Sequence, residues 1–431
     1  MDHKDGKLLW DVNRLFGEIL NGMKKCKELG KLPVSMAIDT WAVDYVLLDE
    51  KDQILGDTYG YRDHRTDGMD AEVAKILPET ELYGKTGIQK QIFNTVYQLM
   101  AVKQQTPELL QQAKTLLMLP DYFGFRLTGN KLSEYTNGST TQLVNPDTFQ
   151  WDKELIRKLG YPEDIFLPLQ MPGTKVGQLL PEIQKEVGFD LEVVLCGSHD
   201  TASAVMAVPQ TEGDGIYISS GTWSLMGIES LKPVITEDAA AANFTNEGGY
   251  DHRFRFLKNI MGLWMIQSVR HEYNDAYSFA QLCNMAEESK EFPSRVDVND
   301  QSFLSPDSMV EAIRQYCHKT GQPVPESVGE LTSVVYRSLA QSYGETVRGL
   351  EKIAGKTYDS IHIIGGGSNA AYLNQLTADA TGKTVYAGPG EATAIGNLLA
   401  QMIHAGDLAD LKSARKCVRE SFEIKTFAPA K

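Results

Sequence analysis

The chain has 431 residues, of which 42% are hydrophobic and 23% are charged. This is the composition of a globular protein, and the length is sufficient for two domains that each have a hydrophobic core. The 57 acidic and 42 basic side chains give a formal net charge of −15. Such a surface repels phosphate backbones and anionic lipids, so the charge excludes nucleic acid and membrane surfaces as expected partners.

The cysteines and the N-terminus predict a cytoplasmic protein. The five cysteines are scattered and show no CxxC spacing, a pattern typical of reduced thiols and not of a zinc site or a disulfide scaffold. Residues 1–11 lack the apolar segment of a signal peptide, and no run approaches the roughly 18 apolar residues of a spanning helix. We therefore expect no membrane partner.

The first elements place polar residues between two apolar strands. The pattern predicts a helix over residues 12–29, a strand over 34–38 and a second strand over 45–48. Residues 39–44 (DTWAVD) lie between the strands, at a sheet end where α/β proteins bind ligands. A hydrogen-bonded loop with a packed Trp41 is an equal alternative. Residues 60–67 form another polar run, either a solvated loop or a sugar-binding segment.

The middle of the first half predicts one helix and two irregular segments. Residues 116–129 read as an apolar helix that ends at Gly129, and residues 134–141 read as a polar loop. Residues 147–181 are rich in Pro and Gly, which predicts a segment that wraps the surface.

A buried strand over residues 193–195 leads through a Gly197 turn into a helix of small residues from Thr201 that ends before Pro209. This pattern places Asp200 at a helix N-terminus, where amide N–H groups favour an ionised carboxylate. Asp200 could therefore accept a proton as a general base. The alternative is a plain N-cap, since Asp is a preferred residue there.

Residues 209–215 collect Pro, Gly and polar side chains and predict a domain hinge. The next strand, residues 216–218, runs into a Ser/Gly/Thr turn over residues 219–224, and such turns can wrap phosphate oxygens. The periodicity of residues 331–353 predicts an amphipathic helix.

A strand over residues 361–364, a glycine run beginning at Gly365 and a helix over 370–381 follow. This order lets a nucleotide approach the backbone at a sheet edge. The spacing is neither GxGxxG nor a P-loop, and a turn that needs glycine only for packing is the alternative. A strand over 384–387 and a helix over 391–404 complete the pattern.

The sequence resembles the FGGY family of carbohydrate kinases, and most closely its branch that acts on L-rhamnulose. The matching motifs follow one another in the family's order over nearly the whole chain. They are residues 39–44 (DTWAVD), 61–66 (YRDHRT), 120–123 (PDYF), 126–129 (RLTG), 134–137 (EYTN), 198–204 (SHDTASA), 219–224 (SSGTWS), 246–249 (NEGG), 257–264 (LKNIMGLW) and 365–369 (GGGSN).

The resemblance implies an α/β fold of two actin-like, RNase H-type ATPase domains with an interdomain cleft. Residues 1–208 would form the sugar-binding N-terminal domain, and residues 209–431 the nucleotide-binding C-terminal domain. The implied reaction is ATP- and Mg²⁺-dependent phosphorylation of L-rhamnulose at O1 in L-rhamnose catabolism, with Asp200 as general base. The implied partners are therefore a small-molecule ketose and ATP, and the protein would be a monomer or a homodimer.

The resemblance also assigns binding residues. His199, Thr201 and Asn259 should contact the sugar, and the backbone at Ala42 should line the same pocket. In addition, Thr222 and Gln267 should contact ATP, and Gly365 should lie against its adenosine part. No metal ligand is assigned. Relatives usually carry Gly where this chain has Ala42, and the extra methyl group is expected to alter the fit of the pocket.

One departure from the family pattern is large. Members begin with a hairpin that carries an acidic residue and a phosphate loop, whereas this chain begins at about the first helix. We expect fewer γ-phosphate and Mg²⁺ contacts and an exposed strand edge. Two alternatives therefore stay open, a kinase for another ketose such as L-fuculose or a pentulose, and a catalytically impaired protein that binds sugar or nucleotide.

Overall fold

The computed structural model describes residues 1–211 and 214–430, which divide into two units. Unit 1 comprises Met1–Ser203, Glu229–Phe256 and Ala394–Leu411, and unit 2 comprises Ala204–Ile228, Leu257–Thr393 and Lys412–Lys431. Each unit therefore takes segments from both halves of the chain. Glu212 and Gly213 of the predicted hinge lie outside the described residues, and the boundary at residue 208 stays a prediction.

The strands are short in unit 1 and longer in unit 2. In chain order they are β1 Asp2–Lys4, β2 Lys7–Leu9, β3 Ser35–Met36, β4 Tyr45–Leu48, β5 Thr115–Met118, β6 Ser133–Glu134, β7 Val144–Asn145, β8 Gln150–Trp151, β9 Leu169–Gln170, β10 Lys175–Gln178, β11 Glu192–Val194, β12 Ile216–Ser220, β13 Trp223–Ser230, β14 Thr245–Gly248, β15 Phe254–Met261, β16 Ser360–Ile364, β17 Thr384–Ala387 and β18 Lys425–Phe427.

The α-helices lie between these strands, some singly and some in consecutive runs. They are α1 Val12–Glu28, α2 Met69–Ala74, α3 Glu79–Thr86, α4 Thr95–Gln105, α5 Pro107–Gln112, α6 Leu119–Thr128, α7 Tyr135–Ser139, α8 Lys153–Lys158, α9 Pro181–Val187, α10 Asp200–Met206, α11 Glu237–Ala241, α12 Trp264–Glu272, α13 Phe279–Glu288, α14 Met309–Lys319, α15 Val328–Ala354, α16 Ala371–Thr381, α17 Ala392–Ala405 and α18 Leu411–Ser421. Among the described residues, no helix combines the length and the apolar character needed to cross a membrane.

In unit 1, β11 lies in one sheet between two strands that run in opposite directions. It pairs parallel with β3 and antiparallel with β10, so β3 forms one edge of this sheet. β3 is shorter than the strand predicted over residues 34–38, and Val34 before it is 82% exposed, although Val34 O still accepts from Glu192 N at 3.0 Å. The expected exposed edge stays a prediction, because Ser35 and Met36 are half-buried. Helix α1 follows the predicted bounds, and its face of Val12, Phe16, Leu20 and Met23 is buried in a core that also contains β4 and β5 residues.

The predicted helix over residues 116–129 is wrong in its first part. Leu116 and Leu117 belong to β5, which pairs antiparallel with β4, and only the residues from Leu119 onward form α6. A short apolar run is compatible with a strand or a helix, and the backbone pairing offered by β4 decides for the strand. Gly129 ends α6 as predicted, with φ of 76°.

Two segments predicted as irregular are also corrected. Residues 134–141 contain the helix α7, which is entirely buried, instead of a polar loop. Residues 147–181 do more than wrap the surface, because Trp151, Leu155 and Phe166 enter the core. The polar composition of residues 134–141 and the Pro-rich composition of residues 147–181 both suggested a position at the surface. The fold can bury such segments because their polar groups find hydrogen-bond partners inside it.

In unit 2, five strands lie side by side in the order β13, β12, β16, β17, β18. The pairs β12–β16 and β16–β17 are parallel, and the outer pairs β12–β13 and β17–β18 are antiparallel. Helix α15 begins with a capping box between Ser327 and Glu330 and ends before Gly355, as its periodicity predicted. The predicted strand–glycine–helix–strand order around Gly365 is confirmed by β16, α16 and β17.

Candidate functional site

The loop between β11 and α10 carries Asp200 and lies beside the end of β3. Thr40 N donates to Ser198 O at 2.8 Å, and Asp200 N donates to Thr40 O at 2.8 Å. Two parallel strands therefore end side by side, with their following loops joined by backbone hydrogen bonds. This is the place where α/β folds bind ligands, as the sequence predicted for residues 39–44.

Asp200 is the first residue of α10, and its side chain is 45% exposed. Its Oδ1 accepts from the adjacent Thr201 N at 2.6 Å. An N-cap carboxylate would instead accept from the second or third amide of the helix, but Ala202 N and Ser203 N both donate to His199 O. The carboxylate is therefore accessible and is not used as a conventional cap.

A buried carboxylate from the family motif at residues 134–137, to which the sequence assigned no role, holds this loop. Glu134 is fully buried, and its Oε2 accepts from Ser198 Oγ at 2.6 Å and from Ser198 N at 3.2 Å. The same side chain accepts from Thr136 N at 2.7 Å and from Asn137 N at 2.9 Å, at the start of α7. Burial raises the pKa of Glu134, although the bonds from Ser198 and Thr136 oppose the shift. Glu134 therefore ties α7 to the residue two positions before Asp200.

Asp39 is the second carboxylate near Asp200. It follows β3, and its Oδ2 accepts from Asn397 Nδ2 of α17 at 2.6 Å. Burial raises the pKa of Asp39 to about 6; the bond from Asn397 lowers it and the charge of Asp200 raises it further. Since 358 positions separate Asp39 from Asn397, no sequence pattern pointed to this pair.

His199 contacts a buried ion pair. Arg255 of β15 is completely buried, and its Nη2 lies 3.0 Å from His199 Nδ1 and 3.1 Å from Glu247 Oε2. The other ring nitrogen, His199 Nε2, lies 3.5 Å from Asp200 Oδ1. Burial alone would raise the pKa of Glu247, but the positive charge of Arg255 beside it outweighs burial and lowers the pKa. Sequence reasoning identified His199 but neither member of the pair.

The loop with Ala42 is rigid and strained. Ala42 and Val43 have φ of 68° and 57°, in the left-handed region that favours glycine. Trp41 stacks on Trp10 with ring centroids 4.1 Å apart, and both indoles donate to the buried Asp44. The hydrogen-bonded loop with a packed tryptophan is thus confirmed, and the role of Ala42 in a sugar pocket stays a prediction.

In unit 2, the turn between β12 and β13 contacts the start of α12. Leu263 N donates to Gly221 O at 3.0 Å, and Trp264 N donates to Thr222 O at 3.1 Å. Gln267 follows within the first turn of α12. Two residues predicted to contact ATP, Thr222 and Gln267, therefore belong to two hydrogen-bonded segments of one unit.

Gly365 approaches the same turn from β16. It has φ of 82°, and a Cβ at this position would lie 2.9 Å from Ser220 O. A Cβ on Gly367 would overlap the side chain of Ser220. Packing against β12 therefore requires these glycines, as the packing alternative predicted, and it places Gly365 next to the segment that contains Thr222.

The predicted site residues divide between the units. Ala42, His199, Asp200 and Thr201 belong to unit 1, and Asn259, Thr222, Gln267 and Gly365 belong to unit 2. Among the residues that the structure describes, the buried Oδ1 of Asn259 has no hydrogen-bond partner, which suits a ligand contact. The binding roles of all eight residues stay predictions.

Comparison with known proteins gives matches over nearly the whole chain. Residues 2–207 match the N-terminal domain, and residues 216–405 the C-terminal domain, of the FGGY family of carbohydrate kinases. The rhamnulokinase of Halalkalibacterium halodurans is 53% identical over 427 residues, which are 99% of this chain and 91% of the relative. The rhamnulokinase of Bacillus subtilis is 46% identical over 429 residues, which are 99% of this chain and 87% of the relative.

Solved structures give the same fold. The ligand-bound xylulose kinase from Lactobacillus acidophilus superposes with a TM-score of 0.81 at 17% identity, covering 100% of this chain and 87% of that one. The predicted fold class, two α/β units of the actin-like ATPase type, is therefore confirmed. The predicted interdomain cleft stays a prediction.

Proposed function

Because this chain belongs to the FGGY family of carbohydrate kinases, we propose that it transfers the γ-phosphoryl group of ATP to O1 of L-rhamnulose. The product would be L-rhamnulose 1-phosphate, within L-rhamnose catabolism. Support for this ketose comes from the rhamnulokinases that match nearly the whole chain. The structural observation behind the proposal is the carboxylate of Asp200, which is accessible and does not cap α10. It lies at the end of two parallel strands.

In the proposed reaction Asp200 accepts the proton of the O1 hydroxyl. The O1 oxygen then forms a bond to the γ-phosphorus while the bond from that phosphorus to the β–γ bridging oxygen breaks, and ADP leaves. Phosphoryl transfer depends mainly on positioning and on stabilising charge. The hydrogen bonds that Ser198 donates to Glu134 and that Asp200 N donates to Thr40 O hold the loop in place, which supports the role of Asp200.

The sugar is proposed to contact His199, Thr201, Asn259 and the backbone at Ala42. The nucleotide is proposed to contact Thr222 and Gln267, with Gly365 against its adenosine part. The unpartnered Oδ1 of Asn259 supports the first assignment, and the backbone hydrogen bonds that join the Thr222 turn to the start of α12 support the second. Residues 1–208 would then serve the sugar and residues 209–431 the nucleotide.

Magnesium would accompany the phosphates of ATP and neutralise charge that develops during transfer. Magnesium in such sites is usually bound through one or two carboxylates together with substrate phosphates and water. Asp39, which follows the strand parallel to the one before Asp200, fits this requirement and is the carboxylate that would hold the ion, which leaves Asp200 free as the base. No cluster of three or more metal-binding side chains occurs in residues 1–211 and 214–430.

The test is ADP formation from Mg·ATP with L-rhamnulose, L-fuculose and a pentulose as separate substrates. Wild type should prefer L-rhamnulose, and Asp200→Asn should lose roughly 10² to 10⁴-fold in kcat, because general-base catalysis contributes that much. Asp152→Asn is the matched control, since Asp152 begins α8 and caps Leu155 N at 2.9 Å. Asn caps equally well, so this control should keep full activity.

Preference for L-fuculose or the pentulose would overturn the choice of ketose. ADP formation that survives in Asp200→Asn would overturn the assignment of the base. Binding of sugar and ATP without turnover would identify the impaired binding protein. We further propose a cytoplasmic monomer or homodimer that binds neither nucleic acid nor membrane, which the five free cysteines and the net charge of −15 support.

A further inference from the structure

We propose that Arg255 and Glu247 form a positioning pair that fixes the imidazole of His199 with its hydrogen on Nε2 and its lone pair on Nδ1. The consequence for catalysis rests on the proposed function, because His199 is there a sugar-binding residue. The tautomer itself does not depend on that function, and it can be measured without substrate.

The contact between Arg255 and His199 is directional. A guanidinium has five N–H donors and no acceptor, and Arg255 Nη2 lies 3.0 Å from His199 Nδ1. Nδ1 must therefore be the acceptor in this bond. In a neutral imidazole one nitrogen accepts and the other carries the hydrogen, so the hydrogen of His199 is on Nε2.

The nearby carboxylate offers a competing arrangement. Glu247 Oε2 lies 3.3 Å from His199 Nδ1, so a hydrogen on Nδ1 could be donated to Glu247 instead. That arrangement would direct an N–H of Arg255 towards the N–H of the ring. With the lone pair on Nδ1, Arg255 Nη2 donates to Nδ1 at 3.0 Å, and its 3.1 Å contact with Glu247 Oε2 is an ion pair. This second arrangement avoids two opposed N–H groups and matches the hydrogen bond that the structure shows.

The pair is held where it cannot move easily. Arg255 is completely buried, and its Nε donates to Gly248 O at 2.9 Å. A buried charge is tolerated only with a partner and hydrogen bonds, which Glu247 and Gly248 supply. Both partners belong to β14, so the guanidinium is fixed by one strand while it orients His199.

The fixed tautomer gives the site a donor beside the proposed base. His199 Nε2 lies 3.5 Å from Asp200 Oδ1, too far for a strong hydrogen bond. A sugar hydroxyl bound at this place would accept from Nε2–H while Asp200 remains free to accept a proton. Arg255 acts through His199 and is therefore a positioning residue.

The experiment is a long-range ¹H–¹⁵N spectrum of the ligand-free protein with ¹⁵N-labelled histidine. His199→Gln assigns the His199 resonances by their disappearance. We expect Nδ1 to resonate as the unprotonated nitrogen and Nε2 as the protonated one. A wild-type spectrum with the hydrogen on Nδ1 would overturn the inference, whatever the kinase assay gives.

The double variant Arg255→Met with Glu247→Gln removes the guanidinium without leaving an unpaired charge. We expect His199 to become a mixture of tautomers and the KM for L-rhamnulose to rise about tenfold, as for one lost hydrogen bond. His362, which is buried beside Tyr386, is the internal control, and its signals should not move.

The outcomes separate the two proposals. Loss of the His362 signals would mean that the double variant is misfolded, and the wild-type spectrum then decides alone. An unchanged His199 tautomer in a folded double variant would show that Arg255 does not set it. A hydrogen on Nε2 together with no ADP formation would overturn the proposed function but leave the tautomer assignment standing.

Discussion

Replacing Glu134 by Gln tests whether one buried carboxylate holds the loop of Asp200. Glu134 Oε2 accepts from Ser198 Oγ, Ser198 N, Thr136 Oγ1 and Asn137 N, and Oε1 accepts from Thr136 N. The amide nitrogen of Gln can donate but cannot accept. In the less damaging orientation of the Gln side chain, its amide nitrogen takes the place of Oε1. The buried Thr136 N–H then faces another donor.

The expected cost follows from these bonds. An unsatisfied buried N–H costs about 1–3 kcal/mol, and the bonds that remain lose their charge assistance, about 1 kcal/mol each for the two from Ser198. Burying the charged carboxylate of Glu134 costs free energy, and this cost is what raises its pKa. The neutral Gln avoids that cost, which offsets part of the loss. We therefore expect Glu134→Gln to lower the free energy of unfolding by about 2–3 kcal/mol. Activity should also fall, because the segment before Asp200 loosens.

The assay is urea unfolding followed by tryptophan fluorescence, together with kcat for ADP formation. Ser198→Ala removes a single hydroxyl donor and should cost about 1 kcal/mol, with a smaller loss of kcat. Glu182→Gln, on the exposed first turn of α9, is the control and should stay within about 0.5 kcal/mol of wild type. The reasoning is refuted if Glu134→Gln is as stable as this control.

Two further predictions concern the nucleotide unit and a buried acid. Gly365→Ala should raise the KM for ATP at least tenfold or destabilise unit 2, because the new Cβ would lie 2.9 Å from Ser220 O. Gly366→Ala is the control, since a Cβ there would meet open space. It should behave as wild type in nucleotide titrations and thermal unfolding. Burial raises the pKa of Asp44 from 3.8 to about 6, against hydrogen bonds that lower it. The pKa of Asp44 is higher in the folded protein than in the unfolded chain. The stabilisation by protonated Asp44 is therefore complete below about pH 4 and is lost as the pH rises through 6. Relative to Asp44→Asn, wild type should lose up to about 3 kcal/mol across this range in urea unfolding, and a difference that stays constant with pH would contradict the shift.

Local patterns determined several of the regular elements. The periodicity of α1 and α15, the apolar run of β4 and the strand–glycine–helix order at Gly365 all appear in the structure near their predicted bounds. These signals are local, because burial of one helix face or one strand repeats at a fixed spacing along the chain. The family motifs likewise identified Asp200 and His199 without coordinates.

Tertiary structure decided what depends on distant partners. Residues Leu116 to Met118 became a strand because β4 offered backbone partners, and residues around Tyr135 became a buried helix because Glu134 met Ser198, 64 positions away.

The groups that orient the site were likewise fixed by the fold. Arg255 reaches His199 across 56 positions, and Asn397 reaches Asp39 across 358. A hydrogen bond of this kind leaves no periodic trace in the sequence, since its energy depends on where the folded chain brings the second group. The sequence by itself therefore determined several elements, the family and the proposed base, and only the tertiary structure decided which buried charges hold that base in place.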